Sequence, residues 1–295
     1  MERKLIAIVG PTAAGKSALG VKIAKKFGGE IISADSRQVY KGMDIGTGKI
    51  TKREMMGIPH HLLDAASPRR QFTVSQFQKL AYKAIKKIFR KEKIPILVGG
   101  SPLYIYAVID GWVIPEVKPN ARLRRDLEKL STDTLFQKLQ RIDSKRAKTI
   151  EKQNRRRLIR ALEIVMSTKQ PVPPLEKKPL PCPVLFLGIQ KNTEELRTLI
   201  ARRLEKRFKQ GMVREVKRLH AQGLSWKRLE SFGLEYKCIA QYFQKKISKE
   251  KMKQQLQKVI EDFARRQMVW FKKDPRIRWI QTLREAQSLA RDFLK

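Results

Sequence analysis

The sequence LIAIVGPTAAGKS, residues 5–17, determines the fold class of this chain. Its apolar first half has the composition of a buried strand, and GPTAAGKS, residues 10–17, matches the pattern G-x-x-x-x-G-K-[ST]. An amphipathic helical pattern follows, in which apolar residues recur on one helix face at Leu19, Ile23, Ala24 and Phe27. A strand, a glycine-rich loop and a helix in this order predict a phosphate-binding loop at the edge of an α/β sheet.

The glycine-rich loop supplies the groups that bind a polyphosphate. Its glycines allow consecutive backbone N–H groups to face the phosphate, and the following helix directs its positive end toward the same place. Lys16 adds a mobile positive charge, and the Ser17 hydroxyl is a ligand for Mg²⁺. The predicted phosphate-binding residues are Gly10, Pro11, Thr12, Ala13, Ala14, Gly15, Lys16 and Ser17. The pattern identifies a polyphosphate but not a reaction.

Short apolar runs alternate with longer helical patterns along most of the chain. The predicted buried strands are residues 5–9, 31–34, 94–98 and 184–189. The predicted long helices are residues 73–91, 193–219 and 249–272. This alternation predicts an α/β protein with a P-loop kinase-like parallel sheet flanked by helices.

One segment departs from this alternation. Residues 116–182 contain only short helical patterns, and the segment ends in the breaker-rich sequence PVPPLEKKPLPCP. The predicted short helices are residues 121–130, 134–139, 144–150 and 155–166. We therefore predict that residues 1–115 begin the α/β core, that residues 116–182 are an all-helical insertion domain, and that residues 183–295 complete the core and add C-terminal helices.

The charge balance of the chain is strongly basic. It has 66 lysines and arginines against 28 aspartates and glutamates, a formal net charge of +38. Such a charge attracts polyanions, and nucleic acid is the expected partner. Because the basic residues are spread over all three predicted segments, a generally basic proteome of the source organism is an alternative explanation, and the charge alone locates no binding surface.

Several other classes of protein do not fit the sequence. The only cysteines, Cys182 and Cys238, lie far apart, which argues against a disulfide framework and against a zinc site. Adjacent histidines, His60 and His61, point to opposite sides of an extended segment, so we expect a structural role for them. No apolar run approaches the roughly 20 residues that span a bilayer, and the first residues do not resemble a signal peptide. We expect a cytoplasmic protein with no membrane partner.

A carboxylate at the end of a strand narrows the range of possible reactions. Nucleoside-triphosphate hydrolases usually place an aspartate at the end of a second apolar strand, but here the strand at 94–98 ends in Gly99 and Gly100. The carboxylate instead follows the strand at 31–34, as Asp35. Asp35 could simply cap the following turn, or it could prepare a nucleophile. Ligands bind at the carboxyl edge of α/β sheets, and this favours the second interpretation.

Six motifs resemble one family closely. GPTAAGKS, DSRQVYKGMDIGTGK, IPHHLLD, VGGSPLYI, RLIRALEI and FARRQMVWFKK occur in the order and spacing of the bacterial tRNA dimethylallyltransferases, also called tRNA isopentenyltransferases. The resemblance extends from about residue 4 to residue 273. It implies transfer of a dimethylallyl group from dimethylallyl diphosphate to the exocyclic amine of the adenosine immediately 3′ of the anticodon. Diphosphate is the leaving group, Mg²⁺ is the cofactor and no ATP is consumed.

The resemblance also implies roles for individual residues. Asp35 matches the general base of the family, and Ser101 stands where the family usually has threonine. Arg207 matches an arginine that binds the diphosphate from the side opposite the loop. Arg197 and Arg203 lie on the same predicted helix, so one basic stripe could face the site, although Arg203 could equally display its charge to solvent.

The implied RNA contacts lie in two regions. The residues assigned to the target nucleotide are Asp35, Ser36, Arg37, Gln38 and Ser101. The residues assigned to the rest of the anticodon stem-loop are Arg122, Arg156, Arg157 and Arg160, with FGLEYK at 232–237 as a further, less well matched segment. The adenosine has to leave the loop stack to reach a buried carboxylate. We expect a monomer, and we expect Trp270 to belong to the core.

Three other functions share part of this pattern. A small-molecule or nucleoside kinase would use the same loop and Asp35, and an adenylate isopentenyltransferase would prenylate a free nucleotide. Neither needs a basic helical insertion. A non-enzymatic RNA-binding protein could keep the loop as a relic, but the intact Lys16, Ser17 and Asp35 argue against this.

Overall fold

All six strands of the central sheet are parallel. The computed structural model of the protein describes residues 2–295. The strands are β1 (Leu5–Val9), β2 (Gly29–Ser33), β3 (His60–His61), β4 (Ile94–Val98), β5 (Val184–Ile189) and β6 (Ile277–Ile280), in the spatial order β3-β2-β4-β1-β5-β6. The predicted α/β class and parallel sheet are confirmed.

The centre of the sheet explains the apolar runs. Strand β1 pairs with β4 on one side and with β5 on the other, so that Ile6 lies opposite both Ile96 and Leu185. All five residues of β1 are buried. A parallel strand that is covered on both faces has no solvent-facing side, and its sequence is therefore continuously apolar.

Fourteen helices occupy the described residues. They are α1 (Lys16–Phe27), α2 (Lys52–Met55), α3 (Val74–Arg90), α4 (Pro102–Ile109), α5 (Ala121–Glu128), α6 (Thr132–Ile142), α7 (Ser144–Thr149), α8 (Arg155–Thr168), α9 (Thr193–Gln210), α10 (Met212–Ala221), α11 (Trp226–Ser231), α12 (Leu234–Phe243), α13 (Lys249–Phe271) and α14 (Leu283–Leu294). Helices α1 and α14 pack on a core cluster with β1, β4 and β5. None of the helices within residues 2–295 is long and apolar enough to cross a membrane.

Among the elements that differ from the sequence prediction, three have a clear physical reason. The single helix predicted at 193–219 is wrong, because Gly211 has a φ of +96° and ends α9 before α10 begins. Strand β3 has only two residues, too few for a periodic pattern. Strand β6 is an edge strand whose Arg278 is exposed, so it lacks the continuous apolar run of the central strands.

The chain divides into two compact units. One consists of Met1–Gly111 with Pro179–Lys295, and the other is Trp112–Lys178. The second unit contains α5 to α8 around its own apolar cluster, which includes Leu135, Leu139, Leu158 and Leu162.

Candidate active site

A cleft of about 410 Å³ opens at the carboxyl ends of β1, β2 and β4. One end is lined by polar and charged groups of the glycine-rich loop and α9. Asp35 and Gln38, which follow β2, form another part of the wall. The rest of the lining includes polar side chains such as Lys22, Glu54 and His60, and seven apolar ones that we call the apolar wall, namely Val21, Ile31, Ile50, Met56, Leu63, Val98 and Phe263. The glycine-rich loop, a carboxylate and an apolar wall therefore share one cleft.

The shape of the loop explains its glycines. Gly10 has a φ of +143°, and a Cβ atom on it would lie only 2.9 Å from the carbonyl oxygen of Ile189. Gly15 has a φ of +92° and immediately precedes α1, so only glycine suits it without strain. Five of the eight predicted residues line the cleft, namely Thr12, Ala13, Gly15, Lys16 and Ser17. The other three, Gly10, Pro11 and Ala14, are buried and shape the loop from below.

Lys16 is held inside the loop. Its Nζ atom donates a hydrogen bond of 2.6 Å to the carbonyl oxygen of Pro11. Burial and then the positive charge of Arg203 lower the pKa of Lys16 to about 7, and the charge of Asp35 acts in the opposite direction. The cleft therefore carries a lysine whose charge a bound anion would stabilise.

Arg203 is a second cation in the cleft. Its Nη1 atom donates a hydrogen bond of 3.1 Å to Oγ1 of Thr12, and the side chain lines the cleft. Burial lowers the pKa of Arg203 to about 10, and the neighbouring Arg207 contributes. The structure therefore resolves the two interpretations of Arg203 in favour of the site.

The single basic stripe is wrong for Arg197. This residue is exposed and forms ion pairs with Glu194 and Glu261 instead of facing the cleft. Arg197 precedes Arg203 by six residues, and at about 100° per residue six residues rotate a side chain by about 120° to another face of the helix.

Arg207 lies behind the cleft wall. Its Nη1 atom donates hydrogen bonds of 2.8 Å to Oε1 of Glu235 and 3.2 Å to the carbonyl oxygen of Gly46, and the residue is buried. A Cβ atom on Gly48, whose φ is +60°, would collide with the guanidinium groups of both Arg203 and Arg207. Arg207 therefore packs against the 46–48 backbone, and Arg203 is the arginine that reaches the loop.

Asp35 caps a turn and also lines the cleft. Its Oδ1 atom accepts hydrogen bonds from the backbone N–H groups of Arg37 at 2.8 Å and Gln38 at 3.3 Å, which caps the turn after β2. Asp35 is half-buried and lines the cleft. Within residues 2–295 its two described hydrogen bonds both use Oδ1, so Oδ2 is the atom suited to a ligand in the cleft.

Ser101 and Gln38 fix the strand-end loops to each other. Oγ of Ser101 accepts a hydrogen bond of 3.1 Å from the backbone N–H of Ser36. Nε2 of Gln38 donates a hydrogen bond of 3.2 Å to the carbonyl oxygen of Gly48. Pro102 occupies the first turn of α4, where its fixed φ suits a helix start. Ser101 thus contacts the loop that carries Asp35, and Gln38 itself faces the cleft.

Gln267 is a site residue that the sequence alone did not single out. It is only 3% exposed, and its Oε1 atom accepts a hydrogen bond of 2.8 Å from the backbone N–H of Thr12. Its Nε2 atom donates one of 2.5 Å to the carbonyl oxygen of Gly100. One amide from α13 therefore joins the glycine-rich loop to the loop after β4. Its only sequence signal is its position in FARRQMVWFKK.

Glu215 is a second such residue. Its carboxylate accepts hydrogen bonds from three consecutive backbone N–H groups, those of Asp44 at 2.9 Å, Ile45 at 2.8 Å and Gly46 at 3.0 Å. The hydroxyl of Tyr236 donates a fourth, of 2.7 Å. Glu215 is buried, so it acts as an internal anion that shapes the 44–48 loop.

Four of the predicted RNA-contacting arginines belong to the Trp112–Lys178 unit. Arg122, Arg156 and Arg157 are exposed on the Trp112–Lys178 unit. Arg160 is half-buried, and its guanidinium donates to the buried Glu163 and to backbone carbonyls of the same unit, including that of Val117 at 3.1 Å. Arg160 is therefore bound within its own unit. Arg157 forms an ion pair of 3.3 Å with the exposed Glu151, and Arg122 and Arg156 are exposed.

Three other expectations can be compared with the structure. In FGLEYK, the side chains of Phe232, Glu235 and Tyr236 are buried and Lys237 is exposed, and RNA contact by this segment stays a prediction. Trp270 is not a core residue, since 42% of it is exposed. The structural role of the histidine pair is confirmed for His61, whose Nε2 atom lies 2.7 Å from a carboxylate oxygen of the buried Glu30.

The sequence model of the family described as IPP transferase matches residues 38–274 of this chain. A tRNA dimethylallyltransferase 1 of Geotalea uraniireducens is 39% identical over 301 residues, which cover 99% of this chain and 98% of the relative. A tRNA dimethylallyltransferase 2 of Citrifermentans bemidjiense is 44% identical over 269 residues, which cover 91% of this chain and 86% of the relative.

Two solved structures are similar over almost the whole chain. The tRNA isopentenylpyrophosphate transferase of Bacillus halodurans aligns with a TM-score of 0.76 and 34% identity, covering 99% of this chain and 97% of that protein. A eukaryotic dimethylallyltransferase acting on tRNA aligns with a TM-score of 0.78 and 26% identity, covering 99% of this chain and 77% of that protein. The glycine-rich loop, the strand-end Asp35 and these matches agree, and the chain belongs to the IPP transferase family.

Proposed function

We propose that this protein transfers a dimethylallyl group from dimethylallyl diphosphate to the exocyclic amine of the adenosine 3′ of the anticodon in tRNA, with release of diphosphate. The proposal rests on the composition of one cleft. Lys16 and Arg203 supply positive charge at one end, Asp35 supplies a carboxylate, and an apolar wall lies beside them. An anionic leaving group, an apolar tail and an amine that must lose a proton match these three surfaces.

The polar end suits a departing diphosphate. As the bond between the allylic carbon and the diphosphate oxygen breaks, its electron pair moves to the oxygen, and negative charge develops there. The backbone N–H groups of the loop, Lys16 and Arg203 are placed to stabilise that charge. Binding of the diphosphate also favours the protonated form of Lys16.

The loop also fits Mg²⁺ as a cofactor. Ser17 is exposed in the cleft and offers a hydroxyl oxygen, a hard ligand of the kind that Mg²⁺ prefers. In residues 2–295 no three His, Cys, Asp or Glu side chains form a metal-binding group. This agrees with an ion that takes most of its ligands from phosphate and water. Ser17 would hold the ion, which would neutralise charge on the diphosphate.

Asp35 is our candidate for the general base. The adenine amine is a poor nucleophile because its lone pair is delocalised into the ring. As its nitrogen forms a bond to the allylic carbon, the nitrogen loses a proton, and Asp35 accepts it. The hydrogen bonds from Arg37 and Gln38 to Oδ1 orient the carboxylate so that Oδ2 is available for this transfer.

The apolar wall suits the five-carbon tail. Ile50, Leu63 and Phe263 line the cleft near the loop and Asp35. Contact with these side chains removes apolar surface of the tail from water, and the excluded water cannot compete with the amine for the allylic carbon.

The RNA partner we propose is the anticodon stem-loop of tRNA. Arg122, Arg156 and Arg157 are exposed cations that can contact phosphates without reading sequence. Ser36, Arg37, Gln38 and Ser101 belong to the loops around Asp35, where an adenosine extruded from the stack would arrive. We assign Arg160 to positioning within the insertion, because Glu163 and backbone carbonyls engage its guanidinium. We also propose that the protein acts as a monomer.

A direct assay distinguishes this function from a kinase. Purified protein is incubated with unmodified tRNA, Mg²⁺ and dimethylallyl diphosphate, and in parallel with ATP in place of the prenyl donor. Nuclease digestion followed by mass spectrometry should find an adenosine carrying one added C5H8 unit only in the first reaction. ATP-dependent phosphorylation without prenylated adenosine would refute the proposal, and so would RNA binding without any modification.

A further inference from the structure

Two buried charges of opposite sign hold the 44–48 loop. The carboxylate of Glu215, on α10, accepts hydrogen bonds from the backbone N–H groups of residues 44–46. The guanidinium of Arg207, on α9, donates a hydrogen bond of 3.2 Å to the carbonyl oxygen of Gly46. Both side chains are buried. An anion on the N–H groups and a cation on a carbonyl oxygen satisfy both kinds of backbone group, so the loop has one defined position.

The far end of this loop touches the cation of the cleft. Thr47, Gly48 and Arg203 all line the cleft. A Cβ atom on Gly48 would collide with Nη2 of Arg203. Since a Cβ atom is bonded directly to Cα, the guanidinium group already lies against the Gly48 backbone. Nη1 of the same group donates its hydrogen bond of 3.1 Å to Thr12 in the glycine-rich loop. Arg203 is therefore confined between Gly48 and Thr12.

Arg203 has few other restraints. Within residues 2–295 its guanidinium forms the one hydrogen bond to Thr12 and no ion pair. The neighbouring Arg207 repels it, and the ion pair of 2.8 Å between Arg207 and Glu235 offsets that repulsion. An arginine side chain has many rotamers, and fixing one of them costs conformational entropy. A surface that excludes the other rotamers before the ligand arrives therefore strengthens binding of that ligand.

The 44–48 loop also supports the turn that carries Asp35. Nε2 of Gln38 donates a hydrogen bond of 3.2 Å to the carbonyl oxygen of Gly48. The backbone N–H of Gln38 donates one of 3.3 Å to Oδ1 of Asp35. A shift of the loop would therefore reach both the cation and the carboxylate of the cleft.

We propose that Glu215 is a positioning residue for the diphosphate end of the cleft. By fixing the 44–48 loop, it keeps Gly48 against Arg203 and the charge of Arg203 beside the glycine-rich loop. This inference rests on the proposed function, because it takes diphosphate as the group that Lys16 and Arg203 bind. Its sign differs from that of direct electrostatics. Removing the negative charge of Glu215 would by itself strengthen binding of an anion, whereas loss of the loop position weakens it.

The test is a double-mutant cycle with Arg203. Isothermal titration calorimetry measures the affinity for inorganic diphosphate, with Mg²⁺ present, of Glu215→Gln, Glu215→Asp and Gly48→Ala, each alone and combined with Arg203→Ala. In Glu215→Gln the NH2 group faces at least one backbone N–H, whichever way the amide lies. Glu215→Asp keeps the charge but shortens the side chain by one methylene. Val216→Ala is the matched control, because Val216 is buried on the same helix and forms no bond to the loop.

The three substitutions should each weaken diphosphate binding about tenfold when Arg203 is present, and Val216→Ala should change it less than twofold. In the Arg203→Ala background the same substitutions should weaken binding less than twofold, because the group that they displace is gone. Urea denaturation separates this effect from a loss of stability. The stability cost of each Glu215 variant should be the same in both backgrounds, while its effect on affinity should depend on Arg203.

Two results would overturn the inference. One is a Glu215 variant that binds diphosphate as tightly as wild type or more tightly. The other is an equal loss of affinity with and without Arg203, since the substitutions would then act independently of that side chain. If the Glu215 variants do not fold, Gly48→Ala is judged by the same two criteria. Failure of the proposed function gives a different result, namely wild-type protein that binds no diphosphate or an Arg203→Ala protein that binds it like wild type.

Discussion

Binding of inorganic diphosphate should draw a proton onto Lys16. Burial lowers the pKa of this lysine to about 7, so the ammonium form prevails below pH 7 and the neutral amine above it. At pH 8 about ten amines are present for each ammonium group. A bound diphosphate favours the charged form, so wild-type protein should take up about 0.9 proton through Lys16 at pH 8 and about 0.1 at pH 6.

Isothermal titration calorimetry measures this uptake. Titrations in buffers of different ionisation enthalpy give the number of protons exchanged when diphosphate binds. Lys16→Arg is the matched control, because a guanidinium stays protonated across this range. The difference between the two proteins removes the protons that diphosphate itself gains or loses. The difference in proton uptake should be about 0.9 at pH 8. Above pH 7 the affinity of wild type for diphosphate should fall about tenfold per pH unit relative to the variant.

Equal proton uptake by the two proteins at pH 8 would refute this reasoning. It would mean that Lys16 is already charged in the empty cleft, and that burial and Arg203 do not control its protonation.

Three further perturbations test the other parts of the site. Glu215→Ala leaves three backbone N–H groups unsatisfied and should lower the free energy of unfolding by about 3 kcal/mol in urea denaturation. The exposed Glu205→Ala should cost less than about 0.5 kcal/mol, and equal costs would contradict the role of Glu215. Arg203→Ala should reduce kcat/KM for the prenyl donor about 10- to 150-fold in steady-state assays, while Arg197→Ala should change it little. A larger loss for Arg197→Ala than for Arg203→Ala would contradict the placement of Arg203 at the diphosphate. Asp35→Ala should nearly abolish single-turnover prenylation, while its affinity for RNA stays within a few-fold of wild type. Wild-type turnover in this variant would contradict the role of Asp35 as the general base.

The fold was predictable where its signals are local. Strands β1, β4 and β5 are continuous apolar runs because both of their faces are covered, and their predicted bounds match the structure. Strand β3 is too short for any period, and β6 lies at an edge where one face meets solvent. The helix break at Gly211 is not predictable from the sequence, because a helix often tolerates a single glycine within an apolar periodicity.

The candidate site also contains residues that the sequence predicts and residues that it does not. The glycine-rich loop and Asp35 were predictable because each lies next to its own strand. Gln267 and Glu215 were not, because each acts on backbone more than 160 residues earlier in the chain, and only the tertiary structure brings them there. The prediction that Trp270 belongs to the core is wrong, because the helical spacing of an apolar residue does not show whether a neighbouring element covers it.

In the proposed reaction the glycine-rich loop holds the leaving group of a prenyl donor rather than a nucleoside triphosphate. The most direct measurement quantifies the phosphorus products of the reaction by ³¹P NMR, with tRNA, Mg²⁺ and dimethylallyl diphosphate present and ATP absent. We predict one diphosphate for each prenylated adenosine and no orthophosphate. A requirement for ATP, or release of orthophosphate in step with product, would contradict the claim.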